Sequence, residues 1–157
     1  MRRVSTLLLL FLAPVAASAQ TRADQAAIAA ALDDFHDAAA KADFDRYFGH
    51  FAPGAVFLGT DATERWTVAE FQAYARPYFK PGGGWTYVPR DRHVGFTPDG
   101  RTAFFDELLD NANLGETRGS GVLVWEDGAW KVAQYDLSIP IPNALAERVV
   151  GLVRAGR

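Results

Sequence analysis

The chain has 157 residues, no cysteine and a formal net charge of −3. That length suits one domain built on one core. The missing thiols exclude disulfides and a cysteine-borne lipid anchor, and the acidic balance excludes a nucleic-acid surface, which needs a concentrated basic face. Aromatic residues make up 13% of the chain, enough for a well-filled core or an aromatic-lined cavity.

Arg2 and Arg3 form a short positive start, Leu7 to Ala13 an apolar run, and Ala17-Ser18-Ala19 a small-x-small ending. This three-part pattern predicts a signal peptide over 1–19, with 20–157 as one domain, periplasmic or secreted. The apolar run is shorter than the roughly 20 residues that span a bilayer, so no membrane association is expected after cleavage.

Helical spacing of Ile28, Leu32, Phe35 and Ala39 predicts a first helix over about 22–41. Phe44, Tyr47, Phe48 and Phe51 predict a short aromatic helix stopped by Pro53-Gly54. Val56 to Leu58 reads as a short strand. Thr67 to Glu70 is a capping box, and Phe71, Tyr74, Ala75 and Tyr78 continue its helix to Pro81-Gly82-Gly83-Gly84. Strands follow at 85–96, interrupted at Pro89, then at 102–109, 117–125 and 130–139, the last two joined by the Asp127-Gly128 turn. Asn143 caps a final helix carrying Leu145, Val149, Leu152 and Val153. Helices first and hairpin-linked strands later mean α+β.

The strand Ala103 to Leu109 does not alternate apolar with polar, so both of its faces are expected to be covered. One would meet the helices and the other a second copy of the chain, which predicts a homodimer.

The stretches Arg118-Gly119-Ser120-Gly121-Val122-Leu123-Val124 and Asp127 to Ser138, together with Phe51-Ala52-Pro53-Gly54-Ala55-Val56-Phe57, resemble SnoaL-like domains of the nuclear transport factor 2-like superfamily. The resemblance covers nearly all of 20–157. It implies a cone-like barrel, a curved antiparallel sheet wrapped around three N-terminal helices and enclosing a pocket. Relatives include isomerases, dehydratases, cyclases and binding domains. Many place histidines on the last strand, where this chain has Gln134 and Asp136.

Within that frame the candidate ligand-binding residues are Tyr47, Trp66, Asp106, Arg118, Trp130, Gln134 and Asp136. Asp106 and Glu107 are neighbours in a strand and point to opposite faces, so one of them faces the pocket; which one depends on a register left open. Trp130, Val132, Gln134, Asp136 and Ser138 share a face by two-residue period. Arg118 and Asp136 flank the same turn and could hold each other or a ligand carboxylate. Trp66 lies in a loop that could close over the pocket. A carboxylate in an apolar cavity suits proton transfer, which makes Asp106 and Asp136 the catalytic candidates, with Tyr47, Tyr135 or Arg118 steadying negative charge. His36, His50 and His93 have no paired ligand spacing, so no metal is expected, and no dinucleotide or other cofactor motif is present.

The first functional reading is an exported domain that binds a small-molecule ligand. The alternatives are a cofactor-independent isomerase, dehydratase or cyclase using a pocket carboxylate, and a protein-interaction module docking through the apolar stripe at Leu145 to Val153.

Overall fold

A computed structural model describes residues 14–156, with side chains from Asp24 onward. Of the expected signal peptide, residues 1–13 lie outside the described residues. The remainder falls within the backbone of α1 (Pro14–Ala40).

Helix α1 buries Ile28, Leu32, Phe35 and Ala39 as one stripe, each no more than 3% exposed. Helix α2 (Phe44–Phe48) starts at Asp43, whose carboxylate accepts from the Arg46 amide. It is shorter than its aromatic spacing suggests, because Phe51 already belongs to β1 (Phe51–Leu58). Strand β1 absorbs Pro53-Gly54 as an irregularity in its pairing between Phe51 and Val56. The three-residue strand β2 (Arg65–Thr67), absent from the sequence reading, folds back on Val56 to Leu58. Thr67 then caps α3 (Val68–Ala75) in a capping box with Glu70.

The four later strands are β3 (Val88–Phe96), β4 (Thr102–Asn111), β5 (Gly115–Glu126) and β6 (Ala129–Ser138). They form a curved, open six-stranded sheet in the order β2-β1-β6-β5-β4-β3. All neighbours are antiparallel except β1 and β6, which run parallel. Asp127 and Gly128 both take positive φ, 50° and 80°, which matches the twist of the two strands they join. The inner face of the sheet packs on α1, α2 and α3, giving an α+β cone.

Strand β6 does not keep one period. Leu123 pairs with Val132 and Val122 pairs with Gln134, so Ala133 is an extra residue with no partner on β5. This bulge reverses the alternation. Trp130 and Val132 point inward before it, Tyr135 and Leu137 after it. Gly119 and Gly121 lie opposite on β5 because a Cβ at Gly119 would collide with the Tyr135 hydroxyl, and one at Gly121 with the Gln134 carbonyl. The Arg-Gly-Ser-Gly stretch is thus the backbone surface on which the Tyr135 ring lies.

After β6 a single 3-10 turn (Asn143–Leu145) leads into α4 (Ala146–Ala155). No residue of α4 is buried, and Leu152 is 65% exposed. Its apolar stripe is left open by the rest of the described chain.

Candidate functional site: an aromatic cavity over a buried histidine–glutamate pair

The sheet, α1 and α3 line a cavity of about 180 Å³ that opens to solvent on one side. The aromatic residues that the helical periods bring inward make its walls. Phe35 stacks on Tyr47 with centroids 4.4 Å apart. A second series of rings runs nearly parallel through the wall. Tyr135 lies 5° from the plane of Phe57, Phe57 lies 18° from Phe71 at 3.9 Å, and Phe71 lies 6° from Trp66. Tyr74, 42% exposed, continues the stack from Trp66 toward solvent, and Trp85 and Tyr87 close the side. Gly59, Thr60 and Glu64 of the β1–β2 loop, with Leu114 from the β4–β5 turn, form the rim.

His36 is the lining residue with chemistry. It follows Ile28 and Leu32 at helical spacing, so α1 delivers it to the interior, 5% exposed. Its Nε2 lies 2.6 Å from Oε1 of Glu107, which is fully buried on β4. Arg92 donates from Nε to the other Glu107 oxygen at 2.6 Å, and from Nη1 to Asp33 at 2.8 Å and to the Ala29 carbonyl at 2.9 Å. Arg92 reaches inward because β3 shifts register between Arg90 and His93, with Asp91 at a φ of 50°. A buried carboxylate is retained only when it is paired on its open lone pairs, and here one partner is a permanent cation. Glu107 therefore accepts from both neighbours. That places a proton on Nε2 and, in the neutral ring, leaves Nδ1 as a lone-pair acceptor. Among the described residues Nδ1 has no protein partner. A carboxylate behind an imidazole fixes its tautomer and steadies the imidazolium that forms when it takes a proton.

Burial holds the phenols of Tyr47 and Tyr135 well above their ordinary range, Tyr135 further through the nearby Glu107 charge. Both remain neutral hydrogen-bond donors.

The structure brings together few of the residues expected from sequence. Tyr47 and Trp66 line the cavity. Asp106 does not: it is exposed on the outer face of β4, opposite Ser120 and His93, and Glu107 takes the inward position. Arg118 is likewise exposed on the outer face, paired with Ser138. Gln134 is exposed and Asp136 half-buried on that face, because the bulge at Ala133 turns them away from the side Trp130 occupies. Trp130 does point inward, but at the other end of β6, against Phe96 and Trp125, away from the cavity. Sequence reasoning weighed His36 only as a metal ligand, read Arg92 as either an attractor of an anionic ligand or part of a solvated edge strand, and left Glu107 undecided. Their signals were present: Glu107 stands in the apolar register Ala103-Phe105-Leu109 of β4, and His36 in the buried stripe of α1.

Residues 28–142 match the family model of the SnoaL-like domain. Among solved structures, the chain is similar to a candidate dehydratase of the nuclear transport factor 2-like family from Streptomyces avermitilis, with a TM-score of 0.65 at 13% identity, covering 77% of this chain and 99% of that one. It is also similar to a nuclear transport factor 2-like protein with a cystatin-like fold from Novosphingobium aromaticivorans, with a TM-score of 0.64 at 12% identity over 88% and 96% of the two chains. A Mycobacterium tuberculosis protein of unknown function gives a TM-score of 0.64 at 16% identity, over 87% and 82%. At these identities the likeness is one of fold. No curated protein matches the chain.

Proposed function

Because the chain belongs to the SnoaL-like domain family, whose cone encloses a pocket, we propose that it binds a small, largely apolar organic ligand in the cavity between the sheet and α1. The observation that carries this reading is a wall of stacked rings around open space, with His36 and the tyrosine hydroxyls as the polar groups set among them. Apolar cavities with few convergent polar groups are the usual form of small-molecule sites. The test is ligand-observed NMR with a panel of one- and two-ring compounds. Saturation transfer to some of them, weakened by Trp66→Ala, is expected. No transfer to any member of the panel overturns the reading.

A second reading, cofactor-independent proton transfer on the bound ligand, is favoured by the 2.6 Å contact between His36 and Glu107. In it His36, rather than a free carboxylate, takes the proton and Glu107 steadies the resulting charge. Deuterium uptake into an enolisable ketone, lost in His36→Gln, is its signature. A third reading, docking through α4, rests on that helix's open apolar stripe. We also propose that the chain is exported after loss of residues 1–19 and forms a homodimer through the outer face of the sheet, where Phe104 is 55% exposed.

A further inference from the structure

We infer that the ligand class is a neutral, flat, single-ring molecule bearing an acidic hydroxyl, a phenol or an enol, whose O–H is donated to Nδ1 of His36. This rests on the ligand-binding reading above and adds size, shape, charge and polarity to it.

Size comes from the volume. A closed apolar cavity of about 150 Å³ takes up benzene, and this one measures about 180 Å³. One six-membered ring with a small substituent fits that volume, and a fused polycycle would extend past the rim into solvent. Shape comes from the wall. Tyr135, Phe57, Phe71 and Trp66 lie within 5° to 18° of their neighbours' planes, so a flat guest continues an existing stack, whereas a puckered ring would break it.

Charge comes from what the lining lacks and what it has. No lysine or arginine lines the cavity, and its rim holds the Glu64 carboxylate. An anionic guest would lose its hydration with no counter-charge to meet it. Arg92 is not among the lining residues; its Nε and Nη1 are held by Glu107, Asp33 and the Ala29 carbonyl, and its partnerless Nη2 is buried. Polarity comes from His36. With Nε2 donating to Glu107, the neutral ring offers the cavity only a lone pair, so a guest that meets it brings the proton.

The test uses the full chain and four probes of similar size: phenol, toluene, benzoate and benzylammonium, with affinities from calorimetry. Phenol is expected to bind at least tenfold tighter than toluene, and benzoate more weakly than either. On adding phenol, the ¹⁵N resonance of His36 Nδ1 should shift, and on adding toluene it should stay. His36→Leu should keep toluene binding and lose the preference for phenol. Equal affinity for phenol and toluene, or an unmoved Nδ1 resonance, overturns the hydroxyl assignment and leaves the apolar cavity standing. Tightest binding by benzoate or benzylammonium overturns the charge argument. Failure of all four probes to bind overturns this inference, and the proposed function falls with it only if the wider panel also fails. The resonance readout needs no variant, so misfolding of His36→Leu does not protect the inference.

Discussion

His36 and Glu107 come from the first helix and the fourth strand, yet their side chains meet at 2.6 Å beneath the cavity. Glu107 is fully buried and Arg92 half-buried, so removing the carboxylate leaves the Arg92 Nε without its acceptor and the cation with only the exposed Asp33 as counter-charge. Glu107→Ala should cost about 3–5 kcal/mol, as breaking a buried ion pair does. Glu107→Gln keeps the shape and one acceptor and should cost less. Urea unfolding of the three proteins checks the order; a Glu107→Ala variant as stable as the parent would refute it.

Phe71 is 1% exposed and stacks on both Phe57 and Trp66. Phe71→Ala is expected to lose about 3–5 kcal/mol through lost contact and the void left behind. Thermal unfolding gives the figure, and a loss below 1 kcal/mol would mean the rings collapse onto one another.

Thr67 closes α3 with a reciprocal pair: its hydroxyl accepts from the Glu70 amide at 3.3 Å, and its own amide donates to Glu70 at 2.8 Å. Thr67→Ala should lower stability by about 1 kcal/mol. Thr67→Ser should restore most of it. Equal midpoints for all three proteins would show that the cap is idle.

The raised phenols of Tyr47 and Tyr135 fix an alkaline limit. Their folded-state ionisation lies above the unfolded value near 10, so the neutral phenol favours the folded state. That contribution is complete below pH 10 and is lost as pH rises above it, because only the unfolded chain then releases the protons readily. Absorbance titration near 295 nm should show these two phenols ionising together with unfolding. Ionisation of all five tyrosines in a folded protein would contradict their burial.

The proposed dimer has its own test. Light scattering should give twice the chain mass, and Phe104→Lys, on the open outer face, should give the single mass with an unchanged midpoint of the monomeric fold. A monomeric parent protein sinks the proposal.

The element order was legible because it rests on local signals: the Thr67 capping box, the Asp127-Gly128 turn, and the stripe of Ile28, Leu32, Phe35 and Ala39. The site was harder to read for one physical reason. A two-residue period holds only while each residue has a partner, and Ala133 has none on β5. Past that point the period assigns Gln134 and Asp136 to the wrong face. The register slip in β3 that carries Arg92 inward is of the same kind. Strand β2 is three residues long and is held by pairing with β1 and by the stacking of Trp66 on Phe71, so no local signal announces it. Glu107 and His36 obeyed their periods and were within reach of a reading that asked which polar residues sit in apolar registers.

The tryptophans divide evenly. Trp66 and Trp85 line the cavity, and Trp125 and Trp130 pack together at the hairpin end of β5 and β6. The molecule therefore carries its own optical reporter and its own internal standard. A guest among the stacked rings should dim or shift the emission of the first pair and leave the second pair constant. Trp66→Phe and Trp125→Phe proteins would separate the two signals, so that occupancy could be read from emission without attaching a dye.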